Sequence, residues 1–194
     1  MNYISTLYLN TLTQKYALLE FLAYWIARYG DVVIILGVII FFIVHHHKNL
    51  YICLHPIRIT VQAKEVLASL SVGFITWILV IWIKFITAIQ RPFLAMPEIV
   101  PLFEYTRDMS FPSGHTAFFT ALGVSLFWEH KRLGVVVCFL AFVIGLARVM
   151  SGIHFISDIV VGFFLGIIVA MSIRILGRKG IRTWLHHLLK KESR

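Results

Sequence analysis

The chain has 194 residues, of which 59% are hydrophobic and only 14% charged, too apolar for a water-soluble domain and expected of a membrane-embedded one. Its net charge of +9, from 18 Lys and Arg against 9 Asp and Glu, does not point to nucleic acid, because the cations gather in loops and at the C-terminus as membrane orientation signals do. Two distant cysteines, Cys53 and Cys138, suggest neither a disulfide framework nor a thiolate metal site, and the N-terminus lacks the pattern of a cleaved secretory signal.

Residues 1–29 mix leucines with Glu20, Arg28, Tyr16, Tyr24, Trp25 and Tyr29, a composition suited to a helix lying in the membrane interface. From Asp31 the run VVIILGVIIFFIV reaches Val44 and forms a first span. His45, His46 and His47 then open a loop to about Ala63. Adjacent positions on a helix do not share a face, so the three histidines read as a polar stop rather than a metal site.

A second span runs from about Glu65 to Ala88 and is apolar until Lys84. Lys84 and Arg91 are two helical turns apart, so both project from nearly one face if the helix continues that far, with Thr87 on the same side, before Pro92 limits it. Residues 92–111 carry Pro97, Pro101, Glu98, Glu104, Arg107 and Asp108, too polar and proline-broken to span but able to cover a site. The third span starts at Pro112-Ser113-Gly114-His115, where Ser113 is a natural N-cap and free backbone N–H groups point out of the membrane. A fourth span, Leu133 to about Met150, joins a fifth, His154 to about Leu176, through Ser151 and Gly152. In the fifth, Gly162 and Gly166 are spaced for close helix packing. A basic tail over 178–194 follows, suited to anionic lipid.

The expected architecture is therefore an all-α polytopic bundle of five transmembrane helices plus an N-terminal interfacial helix. It divides into residues 1–29 at the interface, a core over 30–177 and a cytoplasmic tail over 178–194. Twelve of the 18 cations lie in the loops after the first and third spans and from Arg174 to the C-terminus, so the positive-inside rule makes those ends cytoplasmic. The stretches Lys84 to Pro92, Pro112 to His115 and Arg148 to Asp158 then meet on the extracytoplasmic face.

Ionisable groups at membrane depth are costly and mark functional sites. Lys84, Arg91 and Arg148 supply three positive charges, and the arginine fork matches phosphate oxygens bidentately. Ser113 and Gly114 add backbone donors at a helix N-terminus. His154 and Asp158 are four apart, so the carboxylate can fix the imidazole tautomer and leave its other nitrogen for attack on phosphorus. His115 can protonate the departing oxygen. No metal or other cofactor is expected. Gly152 breaks the chain so that Arg148 and His154, six apart, need not share one helix.

The motifs KxxxxxxRP at Lys84 to Pro92, PSGH at Pro112 to His115 and RxxxxxHxxxD at Arg148 to Asp158 resemble, in order and spacing, the three signatures of the type-2 phosphatidic acid phosphatase family, over about residues 60–176. The resemblance implies a helical membrane fold, a phosphohistidine intermediate on His154, His115 as general acid, and Asp158 as orienter. It implies that Lys84, Arg91, Ser113, Gly114 and Arg148 hold phosphate. One departure is Ala147, where the family usually has serine; this removes one hydroxyl contact to phosphate. The short chain and the Arg91-Pro92-Phe93 run are similar to bacterial undecaprenyl diphosphate phosphatases, which implies an inner-membrane enzyme with that lipid as substrate. Phosphatidic acid, phosphatidylglycerol phosphate and lipid A are the alternative substrates. A phosphotransferase of the same fold and a catalytically silent binder of anionic lipid are the alternative functions.

Overall fold

The computed structural model describes residues 2–47, 56–106 and 109–192. Seven helices follow in order: α1 (Asn2–Lys15), α2 (Ala17–His47), α3 (Pro56–Thr87), α4 (Pro92–Ala95), α5 (Gly114–Phe127), α6 (Lys131–Met150) and α7 (Ile156–Glu192). There is no strand among the described residues, only an isolated bridge between Gln90 and Met109. Large apolar side chains such as Ile40, Trp82, Phe85, Phe139 and Phe164 stand exposed around the outside, the reverse of a soluble protein's surface.

Among the described residues four helical segments are long and apolar enough to cross a membrane: Ala17–Val44, Lys64–Thr87, Lys131–Met150 and Ile156–Gly177. The third expected span, α5, has 14 residues and is about 21 Å long, short of a hydrocarbon core of about 30 Å. Its position explains how it can be short. Ala117, Phe119, Ala121, Leu122 and Leu126 are buried, so α5 faces protein on most sides. Phe119, Leu122 and Leu126 pack with Ile34 and Val38 of α2 and Val137, Ala141 and Ile144 of α6.

Small residues set how closely the other helices approach α5. A Cβ on Gly162 would stand 2.7 Å from Ser113 O, and one on Gly166 2.6 Å from Ala117 O, so these two glycines let α7 lie against the α5 backbone as their spacing predicts. At the far end of the bundle, Arg174 pairs with Glu129 at 3.6 Å and stacks over Trp128, while His130 meets Glu65 at 3.6 Å.

The N-terminal reading needs correction. Helix α2 starts at Ala17 and runs through Gly30 and Asp31 without a break, so the boundary expected at residue 30 marks no structural division. No proline interrupts Ala17 to Val44, and Gly30 stays helical where its missing side chain admits Ile144. Only α1 is separate, and its inner face is polar: Thr6, Asn10 and Thr13 are buried while Ile4 and Tyr8 point outward. Asn10 Nδ2 donates to Met150 O at 2.9 Å and Val100 O at 3.1 Å, which lays α1 across the end of the bundle that holds the site. The expected separate tail also merges into α7, whose backbone is helical to Glu192. The side chains of 178–192 and of His45, His46 and His47, together with Arg107, lie outside the described residues.

Candidate active site

Helix α6 closes with a left-handed turn. Gly152 has φ +74°, Gly152 N–H donates to Val149 O at 2.9 Å and Ile153 N–H to Arg148 O at 3.2 Å, the paired bonds of a glycine-terminated helix. This break lets Arg148 and His154, six apart, stand on separate elements at the same end of the bundle. Asp158 sits at the third position of α7, and its Oδ2 accepts from Phe155 N–H at 2.9 Å, capping the helix. The same oxygen lies 3.1 Å from His154 Nδ1. The carboxylate therefore holds the proton on Nδ1 and leaves Nε2 as the ring's basic nitrogen.

His154 Nε2 faces Arg91, whose Nη1 lies 3.3 Å away. Arg91 precedes Pro92 at the start of α4, is 2% exposed, and donates from Nη1 to Ile153 O. Burial, reinforced by the positive charges of Arg91, Arg148 and Lys84, holds the His154 imidazole well below the usual histidine range, so it is neutral at neutral pH.

Arg148, in the last turn of α6, donates to Ala27 O and to the Tyr105 hydroxyl, each at 3.1 Å. Tyr105 was not singled out from the sequence. Its ring lies 4.2 Å from the Arg91 guanidinium and 5.6 Å from that of Arg148, so it bridges the two cations. Its only sequence signal is an aromatic residue in a polar loop, which does not reveal where the loop will fold.

Lys84 extends from the last turn of α3 and donates to Met109 O at 3.1 Å and Ser110 O at 2.7 Å. Ser110 N–H also donates to Ile89 O at 2.8 Å, and Leu102 N–H to Ser151 O at 3.3 Å. The segment after α4 is thereby pinned over the α6–α7 turn as a cover, which agrees with the expectation for residues 92–111. Ser113 caps α5, its Oγ accepting from Thr116 N–H at 3.4 Å, and its own N–H donates to Asp158 O at 3.0 Å. Gly114 and His115 follow on the first turn. His115 Nε2 lies 3.6 Å from Asp31 Oδ2 of α2, a second residue that sequence reading did not single out.

All eight predicted residues thus collect at one end of the bundle. Arg91, His154 and Asp158 form one bonded chain, joined to Arg148 through Tyr105. His115 approaches from the α2 side. Ala147 does not recover its missing hydroxyl through Ser151, whose Oγ turns back to Ala147 O at 2.8 Å.

Two cavities meet at His115 and Tyr105. One of about 390 Å³ runs down an apolar wall of Trp77, Val80, Ile81 and Phe85, with Lys84 and Gly114 at its head. The other, about 330 Å³, is polar and bounded by Arg28, Asp31, Glu104 and Arg148. The cavities can accept an anion attached to an apolar chain, and the neutral, oriented imidazole of His154, which lines neither, is linked to them through Arg91 and Tyr105. Among the described residues no group of three or more His, Cys, Asp or Glu is placed to hold a metal ion.

Residues 64–181 match the PAP2 superfamily. The chain is 27% identical over 169 residues to the bacitracin transport permease protein BcrC of Bacillus licheniformis, covering 86% of this chain and 75% of that one. It is 28% identical over 89 residues to phosphatidylglycerophosphatase B of Bacillus subtilis, covering 40% and 43% respectively. Among solved structures, Aquifex aeolicus LpxE superposes with a TM-score of 0.64 at 23% identity, covering 88% of this chain and 93% of LpxE. The PAP2-type phosphatidylglycerolphosphate phosphatase of Bacillus subtilis superposes with a TM-score of 0.50 at 20% identity, covering 91% and 94%. These two likenesses concern the fold.

Proposed function

The chain belongs to the PAP2 superfamily of membrane lipid phosphatases, and we propose that it hydrolyses a lipid phosphate through a phosphohistidine on His154, with undecaprenyl diphosphate as the leading substrate. The observation that carries this reading is His154 itself: Nδ1 held by Asp158, Nε2 facing Arg91, the ring buried and neutral. Binding an anion would need the cations but not this oriented nitrogen. The apolar cavity under Lys84 supports a lipid tail, and the polar cavity beside Arg148 supports a route for water and phosphate.

In the proposed sequence, Arg91, Arg148, Lys84 and the Ser113-Gly114 backbone hold the phosphate, and His154 Nε2 attacks phosphorus. The bond to the leaving oxygen breaks as His115 gives that oxygen a proton. In the second step His115 takes a proton from water, the water oxygen attacks phosphorus, and inorganic phosphate departs with His154 restored. The site would face the extracytoplasmic side of the inner membrane, since twelve of the 18 Lys and Arg in the sequence belong to the two loops and the tail expected on the other side.

The test is phosphate release by purified protein from undecaprenyl diphosphate, phosphatidic acid, phosphatidylglycerol phosphate and lipid A, run with and without chelator. His154→Ala is expected to abolish release from every lipid while the protein still inserts and folds, and chelator is expected to change nothing. Full activity in His154→Ala, or strict dependence on an added divalent ion, would refute the mechanism. A clear preference for another lipid in the panel would overturn the choice of undecaprenyl diphosphate.

A further inference from the structure

The His154–Asp158 pair has a counterpart across the pocket. His115 Nε2 and Asp31 Oδ2 are 3.6 Å apart, with both side chains about one third exposed. Asp31 Oδ1 accepts from Val32 N–H at 2.9 Å, which fixes the carboxylate on its own helix while its second oxygen faces the imidazole. An aspartate in the apolar stretch of α2 is a cost, of about 2.5–3.5 kcal/mol at the centre of a membrane helix and less toward its ends, so its presence calls for a partner. It also lies outside residues 64–181 that match the superfamily, on a helix those residues do not include. Arg148 and Tyr105 share the polar cavity with both residues, so the pair lines the same cavity as a cation of the proposed phosphate clamp.

We infer that Asp31 is a positioning residue for His115: it engages Nε2 and sets the ring so that Nδ1 serves the leaving oxygen. This rests on the reading of His115 as the acid. The two histidines would then be held in opposite senses, His154 by its Nδ1 with Nε2 toward phosphorus, and His115 by its Nε2 with Nδ1 toward the departing group. A partly exposed ion pair adds at most about 1 kcal/mol to stability, so stability alone is a weak reason for the carboxylate.

The test compares kcat/KM, which reports the first irreversible step, on two substrates of unequal leaving group. One is phosphatidic acid, whose alkoxide must be protonated as it departs. The other is an alkyl-substituted nitrophenyl phosphate, whose nitrophenolate departs without a proton. Asp31→Asn is expected to lose about tenfold on phosphatidic acid and less than twofold on the aryl phosphate, with Asp31→Glu recovering most of the loss. Equal losses on both substrates, or no loss on either, would overturn the inference. His115→Asn separates the two claims. If it also spares the aryl phosphate while Asp31→Asn does not discriminate, only the role of Asp31 fails; if His115→Asn loses both equally, the acid assignment fails first.

Discussion

Replacing Asp158 tests the oriented-histidine mechanism most sharply, because one oxygen of that carboxylate has two partners. Oδ2 accepts from Phe155 N–H at 2.9 Å and lies 3.1 Å from His154 Nδ1. In Asp158→Asn the amide can place either oxygen or nitrogen at that point. Nitrogen there would leave the buried Phe155 N–H without an acceptor, at a cost of about 1–3 kcal/mol, so the oxygen should stay and keep the His154 proton on Nδ1. What is lost is the charge. A hydrogen bond to a charged group contributes up to about 3 kcal/mol against about 1 kcal/mol for a neutral one, and a difference of about 2 kcal/mol is about 30-fold in rate. Asp158→Ala loses the whole bond and the helix cap, and should fall by at least about a thousandfold, toward the roughly ten-thousandfold loss seen when an orienting aspartate is disabled in a serine protease. The assay is kcat for phosphate release from a lipid phosphate in detergent. Equal inactivity of the Asn and Ala variants would refute the claim that Phe155 N–H dictates the amide's orientation, and full activity of either would refute the orienting role.

The acidic limb of kcat/KM should lie well below pH 6.5, since burial and then Arg91, Arg148 and Lys84 disfavour protonated His154. The sign follows from the lowered value: the neutral nucleophile is present above that limb and lost as pH falls through it. Arg91→Gln removes one repelling charge and should move the limb toward 6.5, read from pH–rate profiles. In the scaffold, Gly166→Ala would press a methyl to within 2.6 Å of Ala117 O, and forcing α7 off α5 should cost about 1–3 kcal/mol, measured as a lower thermal midpoint in detergent.

Much of the candidate site was legible because it depends on local spacing. His154 and Asp158 at helical separation do meet, Ser113 does cap its helix, and Gly152 does turn the chain between α6 and α7. What stayed hidden depends on tertiary placement. The rotation that brings Asp31 to His115 belongs to the packing of α2, and Tyr105 reaches Arg91 and Arg148 only because Lys84, Ser110 and Ser151 pin its loop. The number of spans stayed open for a related reason: four helices have the length and α5 is a shorter apolar one. The apolar run after Ser113 reads like a membrane crossing, but apolarity cannot tell lipid from neighbouring helices, and α5 is covered by the latter. Residues 17–29 misled in the opposite direction, their aromatics and charges resembling an interface helix although they belong to α2.

The meeting of an apolar and a polar cavity at His115 and Tyr105 bears on how two unlike reactants come together. Hydrolysis consumes one molecule that dissolves only in the bilayer and one that is scarce there. A lined apolar wall on one side and a polar cavity on the other would let the tail stay among apolar groups while solvent reaches the phosphate, so neither reactant would have to change phase. The seam between them, beside the first turn of α5, is where oil and water would be brought to the same depth.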